Sequence, residues 1–170
     1  RELEVEEGHR FDFSLTTNGL LLDREELSFF KEFGVKVLLS IDGTRQVHDA
    51  HRRTAEGAGT YDSIVDRIPL MKQYQPWLGT KMTVAPDSAG TLFEGVVHLH
   101  GLGINQFLFG PADGADWTVP AIRAYEQELE KLADFFFQKD KKPRALRINA
   151  LEKMRPNARK DRSDSWGCRA

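Results

Sequence analysis

The sequence predicts an α/β fold in which short strands alternate with helices and pair in parallel. Apolar segments of strand length alternate along the chain with longer segments whose apolar residues recur at helical spacing, giving the order β-α-β-α-β-α-β-α. Strands separated by helices pair in parallel through right-handed crossovers. Every predicted strand ends in small and polar residues, and the carboxyl ends of parallel strands are where such folds bind ligands.

Two segments in the first quarter of the chain predict strands. In residues 11–17 Phe and Leu alternate with smaller polar residues, and Asn18-Gly19 ends the segment. Residues 35–41 are apolar on both faces and too short for a typical helix, which predicts a buried strand. Strands are predicted for similar reasons in two later segments, 79–84 and 104–109.

The helices are predicted by the residues at their ends as well as by their period. Asp23 and Glu26 form the pair of a capping box, and Gly34 suits the end of that helix. Residues 42–59 are rich in Gly, Arg and His and are expected to form a long functional loop. Further helices are predicted at 60–75, with a kink at Pro69, at 91–101, and from Pro120 onwards, with a last helical stretch to about residue 154.

Composition and charge restrict the function classes. The chain has 170 residues, enough for one domain, and its net charge of −2 argues against a nucleic-acid binder. No apolar segment approaches the ~20 residues that span a membrane, and no signal peptide is evident. Cys168 is the only cysteine, which excludes a disulfide framework and an iron–sulfur site built from this chain's own thiolates. A reducing cytoplasm is the expected compartment.

Three polar residues near the end of the second strand are candidates for a binding site. Ser40 and Asp42 alternate along an extended segment, so their side chains are expected to share a face and to suit ribose hydroxyls or an ammonium group. Alternatively, Asp42 only caps a turn with Gly43. Arg52 suits a carboxylate or a phosphate, with a solvent-exposed surface arginine as the alternative.

The histidines carry a weaker signal. His48, Asp49 and His51 together suggest a metal site, but hydrogen bonds that order the segment are favoured, because no other ligands accompany them. His98 and His100 do not share a helix face and are interpreted as structural. No phosphate-binding loop and no Gly-x-Gly-x-x-Gly motif occurs.

Four segments resemble one enzyme family in order and spacing. They read FSLTTNGLLL at 13–22, LSIDG at 39–43, VHDAHRR at 47–53 and GAGTYD at 57–62. Together they resemble the radical S-adenosylmethionine (radical SAM) enzymes, in the SPASM-type branch related to anaerobic sulfatase-maturating enzymes and peptide maturases. The resemblance extends from about residue 11 to residue 109 and is most specific up to residue 62.

The resemblance implies a partial (βα)6 TIM-like barrel, here its third to sixth strands, that binds S-adenosylmethionine beside a [4Fe-4S] cluster. Reduction of the cluster, by a protein such as flavodoxin or ferredoxin, would cleave the cofactor to a 5′-deoxyadenosyl radical that abstracts a hydrogen from a peptide or protein. By the same resemblance Ser40 would contact the ribose or amino-acid part and Arg52 the carboxylate. Asn18 and Asp42 would shape the pocket, and Gly110 would lie near the adenine.

The chain also departs from the family. It lacks the Cys-x-x-x-Cys-x-x-Cys loop and the Gly-Gly-Glu motif. We therefore expect an internal fragment: a barrel part over 1–154, and a polar linker with the start of an auxiliary-cluster region over 155–170, where Cys168 resembles a cluster ligand. Alone it is expected to be inactive. It is also expected to self-associate, most simply as a dimer, through the bare edge of its first strand and an exposed inner barrel face.

Two alternatives remain open from the sequence. The first is a degenerate barrel that lost the cluster and serves as a protein-binding scaffold. The second is an unrelated α/β barrel enzyme that uses Asp42 and His48 in acid–base roles.

Overall fold

The computed structural model describes residues 11–139, with side chains as far as 137, and residues 146–152. Its centre is one five-stranded parallel sheet in the order β1-β2-β3-β4-β5. The α/β class and the parallel pairing are therefore confirmed. The strands are β1 (Ser14–Thr17), β2 (Lys36–Leu39), β3 (Leu78–Val84), β4 (Ile104–Pro111) and β5 (Arg147–Ile148).

Helices connect successive strands and pack against one face of the sheet. The long α6 has Pro120 in its first turn, as its sequence predicts. None of the described helices is both long and apolar enough to cross a membrane. The helices are α1 (Arg24–Phe33), α2 (Arg45–His51), α3 (Tyr61–Val65), α4 (Ile68–Tyr74), α5 (Leu92–Gly101), α6 (Val119–Lys139) and α7 (Asn149–Glu152), with a 3₁₀ turn at Ala89–Thr91.

The two faces of the sheet differ in polarity. On β3, Met82 and Val84 are buried, whereas Lys81 and Thr83, which alternate with them, are exposed. The buried set continues on the neighbouring strands and meets the apolar sides of the helices, with Leu39, Phe107, Leu99 and Leu132 among its fully buried members. Side chains alternate across a strand, so the second face is the open one, and it carries most of the polar strand residues.

Residues 42–59 do not form one long loop, contrary to the sequence-based expectation, because helix α2 lies within them. Its inward face carries His48, which is completely buried. A helix whose buried face is polar lacks the apolar period by which helices are recognised, so no helical signal is present in the sequence here.

The expectation of one kinked helix over 60–75 was also wrong. The segment forms two helices, α3 and α4, and Pro69 lies in the first turn of α4. Proline lacks an N–H and therefore interrupts a helix interior, but in a first turn that N–H has no intrahelical acceptor to lose.

A fifth strand replaces the start of the predicted last helix. Ile148 is buried and pairs beside Phe107 of β4, and helix α7 begins only after it. A strand of two residues is too short to show an alternating pattern, which explains why it was missed. The predicted polar linker over 155–170, with Cys168, lies outside the described residues.

The helix ends confirm some sequence signals and correct others. Asp23 and Glu26 form the predicted capping box, and Gly34 ends α1 with φ +68°. Thr91 occupies the predicted N-cap position of α5, but its side chain does not cap the helix. The carboxylate of Glu128 does so instead, since its Oε2 accepts the Phe93 N–H at 2.8 Å.

Candidate functional site

The ends of β1 and β2 carry two polar side chains with free hydrogen-bonding capacity. The backbone N–H of Ser40 donates to the Thr17 carbonyl at 2.7 Å, which continues the strand pairing to the residue before Asn18. Asn18 is exposed and its Oδ1 accepts the Leu20 N–H at 3.2 Å. Among the described residues, no partner is recorded for the Asn18 amide nitrogen or for the hydroxyl of half-buried Ser40.

Asp42 lies two residues beyond Ser40, after the end of β2, and is almost completely buried, with 4% of its side chain exposed. Its Oδ1 accepts the Thr83 N–H at 2.8 Å, which joins the end of β2 to β3. Both carboxylate oxygens accept from Arg52: Oδ2 from Nε, and Oδ1 from Nη2 at 3.1 Å. Asp42 therefore shapes the site through Arg52 rather than by facing solvent itself.

Arg52 is held along one edge of its guanidinium. Its side chain is 32% exposed, and Nη1 makes no hydrogen bond to any residue that the structure describes. Arginine binds carboxylates through paired N–H donors, and here Asp42 occupies one pair while the second edge stays available. The simple alternative, an unconstrained surface arginine, does not describe this side chain.

His48 lies directly behind this ion pair. Its Nδ1 is 3.2 Å from the Asp42 N–H nitrogen, and its Nε2 is 2.9 Å from Thr60 Oγ1. Thr60 Oγ1 in turn donates to the Arg52 carbonyl at 3.2 Å. Burial, together with the positive charge of Arg52, lowers the pKa of His48 against the opposing effect of Asp42 and Asp49. His48 is therefore a neutral, buried link.

Asp49 orders the following turn. Its Oδ1 accepts the N–H groups of Thr60 and Tyr61, each at 2.9 Å, and so caps α3 in place of a Thr60 side-chain cap. A Cβ at Gly59 would lie 2.3 Å from Asp49 Oδ2, so any other residue there would displace the Asp49 carboxylate. His51 points elsewhere and pairs with Asp87, Nε2 to Oδ1, at 3.0 Å.

These contacts confirm the prediction that hydrogen bonds order the segment that carries the first histidine group. Within residues 11–139 and 146–152, no group of three potential metal ligands occurs. The structural interpretation of the later histidines is confirmed as well: His98 Nε2 bonds the Tyr61 hydroxyl, and His100 Nδ1 bonds the Ile104 carbonyl at 3.0 Å.

One backbone contact that fixes the site had no clear sequence signal. Gly43 has φ +120°, and a Cβ built on it would lie 3.1 Å from the Cα of Gly95 in α5. The segment that carries Asp42 therefore packs backbone to backbone against a helix. Gly110 lies on β4, in register with Thr83 of β3, at the same end of the sheet.

A cavity of about 390 Å³ lies elsewhere, near the amino ends of β2 and β3. It is lined by residues such as Phe30, Tyr74 and Trp77, and none of the predicted site residues contributes to it. The unpaired donors at the strand ends, and not this cavity, therefore define the candidate site.

Known proteins resemble this chain in sequence over part of its length. No family model matches the chain. A cysteine-type anaerobic sulfatase-maturating enzyme of Clostridium novyi is 33% identical over 63 residues, which are 37% of this chain and 17% of that protein. A serine-type enzyme of Bacteroides thetaiotaomicron is 34% identical over 67 residues, 39% of this chain and 16% of that protein. Over these segments the chain is similar to anaerobic sulfatase-maturating enzymes, the radical SAM branch that its sequence motifs resemble.

Solved structures extend the likeness to the fold. The structure of native anSMEcpe with bound AdoMet and the Cp18Cys peptide matches with a TM-score of 0.70 at 21% identity, over 89% of this chain and 45% of that one. Native anSMEcpe with bound AdoMet alone matches with a TM-score of 0.68 at 18% identity, over 89% of this chain and 44% of that one. The sheet is thus part of a TIM-like barrel, and the chain spans less than half the length of these relatives.

Proposed function

We propose that this chain is the S-adenosylmethionine-binding part of a radical SAM enzyme that modifies a peptide or protein. The observation that carries the proposal is the guanidinium of Arg52, which Asp42 fixes along one edge and leaves available along the other. The likeness to sulfatase-maturating enzymes supports it. A structural relative that holds both AdoMet and a peptide supports a peptide substrate.

The donor set fits the cofactor. A methionine-type carboxylate suits the free edge of Arg52, because paired N–H donors recognise carboxylates. The Ser40 hydroxyl can accept from the ammonium or bond a ribose hydroxyl, and the Asn18 amide N–H groups can donate to ribose or carboxylate oxygens. Gly110, which has no side chain to obstruct a flat ring, is our candidate neighbour of the adenine. When bound, S-adenosylmethionine supplies the hydrogen-abstraction chemistry.

The iron–sulfur cluster does not fit the residues of this chain. The sequence has one cysteine, Cys168, and the described part of the chain contains no group of three metal ligands. Such clusters normally take several thiolates, so these residues support no step at a cluster. We expect a [4Fe-4S] site, and a flavodoxin- or ferredoxin-type reductant, to act through residues other than those described.

What these residues do is bind and orient. Arg52 neutralises the carboxylate, and Asp42 prevents the arginine from rotating away by holding two of its nitrogens. Ser40 and Asn18 stand at adjacent strand ends, where their hydrogen bonds orient the remaining polar groups of the ligand. Cys168 as an auxiliary-cluster ligand remains a proposal from the family resemblance.

Calorimetric titration with S-adenosylhomocysteine tests this proposal. We expect binding that weakens about tenfold or more in Arg52→Lys, because a bidentate carboxylate contact is lost. The analogue 5′-methylthioadenosine has no carboxylate, so its affinity should be equal in the two proteins. His51→Gln, on the same helix as the network but outside it, is the matched control. Absence of binding by the wild type at millimolar ligand would contradict the proposal and favour a protein-binding scaffold.

A further inference from the structure

We propose that His48 and Thr60 are positioning residues that lock Arg52 in the orientation required to bind a ligand carboxylate. They act through a chain of hydrogen bonds with one direction, from the Asp42 backbone to the Arg52 backbone. The inference rests on the proposed function in so far as Arg52 is taken to bind the cofactor. The restraint of Arg52 by His48 and Thr60 does not depend on any ligand.

The direction of this series of hydrogen bonds follows from the chemistry of the two backbone groups at its ends. The Asp42 backbone nitrogen only donates, so His48 Nδ1 must accept. A neutral imidazole then carries its proton on Nε2 and donates it to Thr60 Oγ1. The Thr60 hydroxyl proton is therefore free to donate to the Arg52 carbonyl, which only accepts. Each link fixes the next, and no member is left unsatisfied.

The hydrogen bonds through His48 and Thr60 complete the restraint of Arg52. The Arg52 N–H donates to the His48 carbonyl at 2.8 Å, and the Arg52 carbonyl accepts from Thr60 at 3.2 Å. Asp42 holds Nε and Nη2 of the side chain. Arg52 is thus bonded on both sides of its Cα and along one guanidinium edge. The same imidazole bonds the backbone of Asp42, so one ring fixes both members of the ion pair.

The burial of His48 and Thr60 indicates that their hydrogen bonds do more than fill space in the core. His48 is 0% and Thr60 6% exposed. An apolar pair of similar shape would fill this space without the cost of desolvating an imidazole and a hydroxyl. The charged and titratable groups that face His48 are Asp42, Asp49 and Arg52, with the Tyr61 ring at 6.0 Å. Protonation of His48 would place a second donor on Nδ1 opposite the Asp42 N–H and break this series of hydrogen bonds.

Two matched substitutions separate positioning from packing. Thr60→Val keeps the shape and removes the hydroxyl, whereas Thr60→Ser keeps the hydroxyl. The measured quantity is the hydrogen-exchange rate of the Arg52 Nε–H, followed by NMR of the full chain. We expect Thr60→Val to raise this rate at least fivefold and Thr60→Ser to keep it at the wild-type value. His51→Gln is the control. Equal exchange rates in wild type and Thr60→Val would overturn the inference.

A second measurement needs no variant. The ¹⁵N chemical shifts of the wild-type His48 ring should show the Nε2–H tautomer, and an Nδ1–H tautomer would overturn the inference even if Thr60→Val did not fold. Neither readout uses a ligand, so failure of S-adenosylhomocysteine to bind would refute the proposed function and leave the lock to be decided separately. If binding occurs, Thr60→Val should weaken it about fivefold in wild type but not in an Arg52→Lys background.

Discussion

Asp42 and Arg52 form an ion pair in which the carboxylate is buried and the guanidinium reaches solvent. The side chain of Asp42 is 4% exposed and that of Arg52 is 32% exposed. The pair lies where β2 ends, beside the exposed end of β1. A buried anion that holds a partly exposed cation presents a positive group in a fixed orientation, which is the arrangement that an anionic ligand requires.

Removing the charge of Asp42 should lower the stability of the fold. Asp42→Asn keeps an acceptor for the Thr83 N–H but loses the ion pair with Arg52. Because one partner is a third exposed, we expect a loss of about 1–2 kcal/mol in urea unfolding, below the cost of breaking a fully buried pair. Asp87→Asn removes an exposed carboxylate that pairs with His51, and should change stability by less than about 0.5 kcal/mol. Equal effects of the two substitutions would contradict this account.

Stability should decrease as the pH falls, because His48 is buried in its neutral form. Burial lowers the pKa of His48 below its ordinary value of 6.5, so the unfolded chain takes up a proton at a higher pH than the folded protein does. The contribution of neutral His48 is complete above the ordinary pKa. It is lost as the pH falls through 6.5 towards the lower folded pKa.

Urea unfolding of the wild type between neutral and mildly acidic pH measures this slope. His48→Gln should have a flatter profile, because the group that titrates is absent. His51 is exposed on the same helix, and His51→Gln should retain the slope of the wild type over the same pH range. An unchanged slope in His48→Gln would show that His48 is not the responsible group.

Gln75 takes the place of a strand residue. Its side-chain amide accepts the Val37 N–H and donates to the Val37 carbonyl, each at 2.9 Å, and also donates to the Trp77 carbonyl at 3.0 Å. Here β2 and β3 share only two paired positions, so the amide bonds backbone groups that lack a strand partner. Gln75→Ala should cost about 2 kcal/mol in thermal or urea unfolding. Gln46→Ala, at an exposed position of α2, should change stability by less than about 0.5 kcal/mol.

The edge strand β1 predicts self-association. β1 pairs with β2 alone among the described strands, and Phe13 just before it is 55% exposed. An unpaired strand edge beside an exposed aromatic ring is a site for pairing with a second chain. We expect light scattering to detect dimers at micromolar concentration and Phe13→Lys to reduce them. A monodisperse wild-type monomer would contradict the prediction.

The sequence predicted those features that local chemistry determines. The capping box of Asp23 and Glu26 acts over three residues, and the apolar segment of β2 is too short for a typical helix, so both elements appeared as predicted. It failed where long-range contacts decide the structure. Helix α2 buries a histidine instead of an apolar face, and β5 exists only because β4 lies beside it.

The candidate site divides in the same way. The strand-end position of Ser40 followed from the pattern, whereas the partners of Asp42 did not. Its bonds reach Arg52 and Thr83, ten and 41 residues away along the chain, and no local pattern encodes them. The glycine contact between Gly43 and Gly95 likewise needs the fold before it has any meaning.

The location of S-adenosylhomocysteine on the protein tests the central claim most directly. In a titration followed by ¹H–¹⁵N NMR, we expect the largest shift changes at Asn18, Ser40, Gly110 and the Arg52 Nε–H. Residues Tyr74 and Trp77, which line the 390 Å³ cavity near the amino ends of β2 and β3, should be unaffected. Shift changes confined to that cavity, with none at the strand ends, would contradict the account.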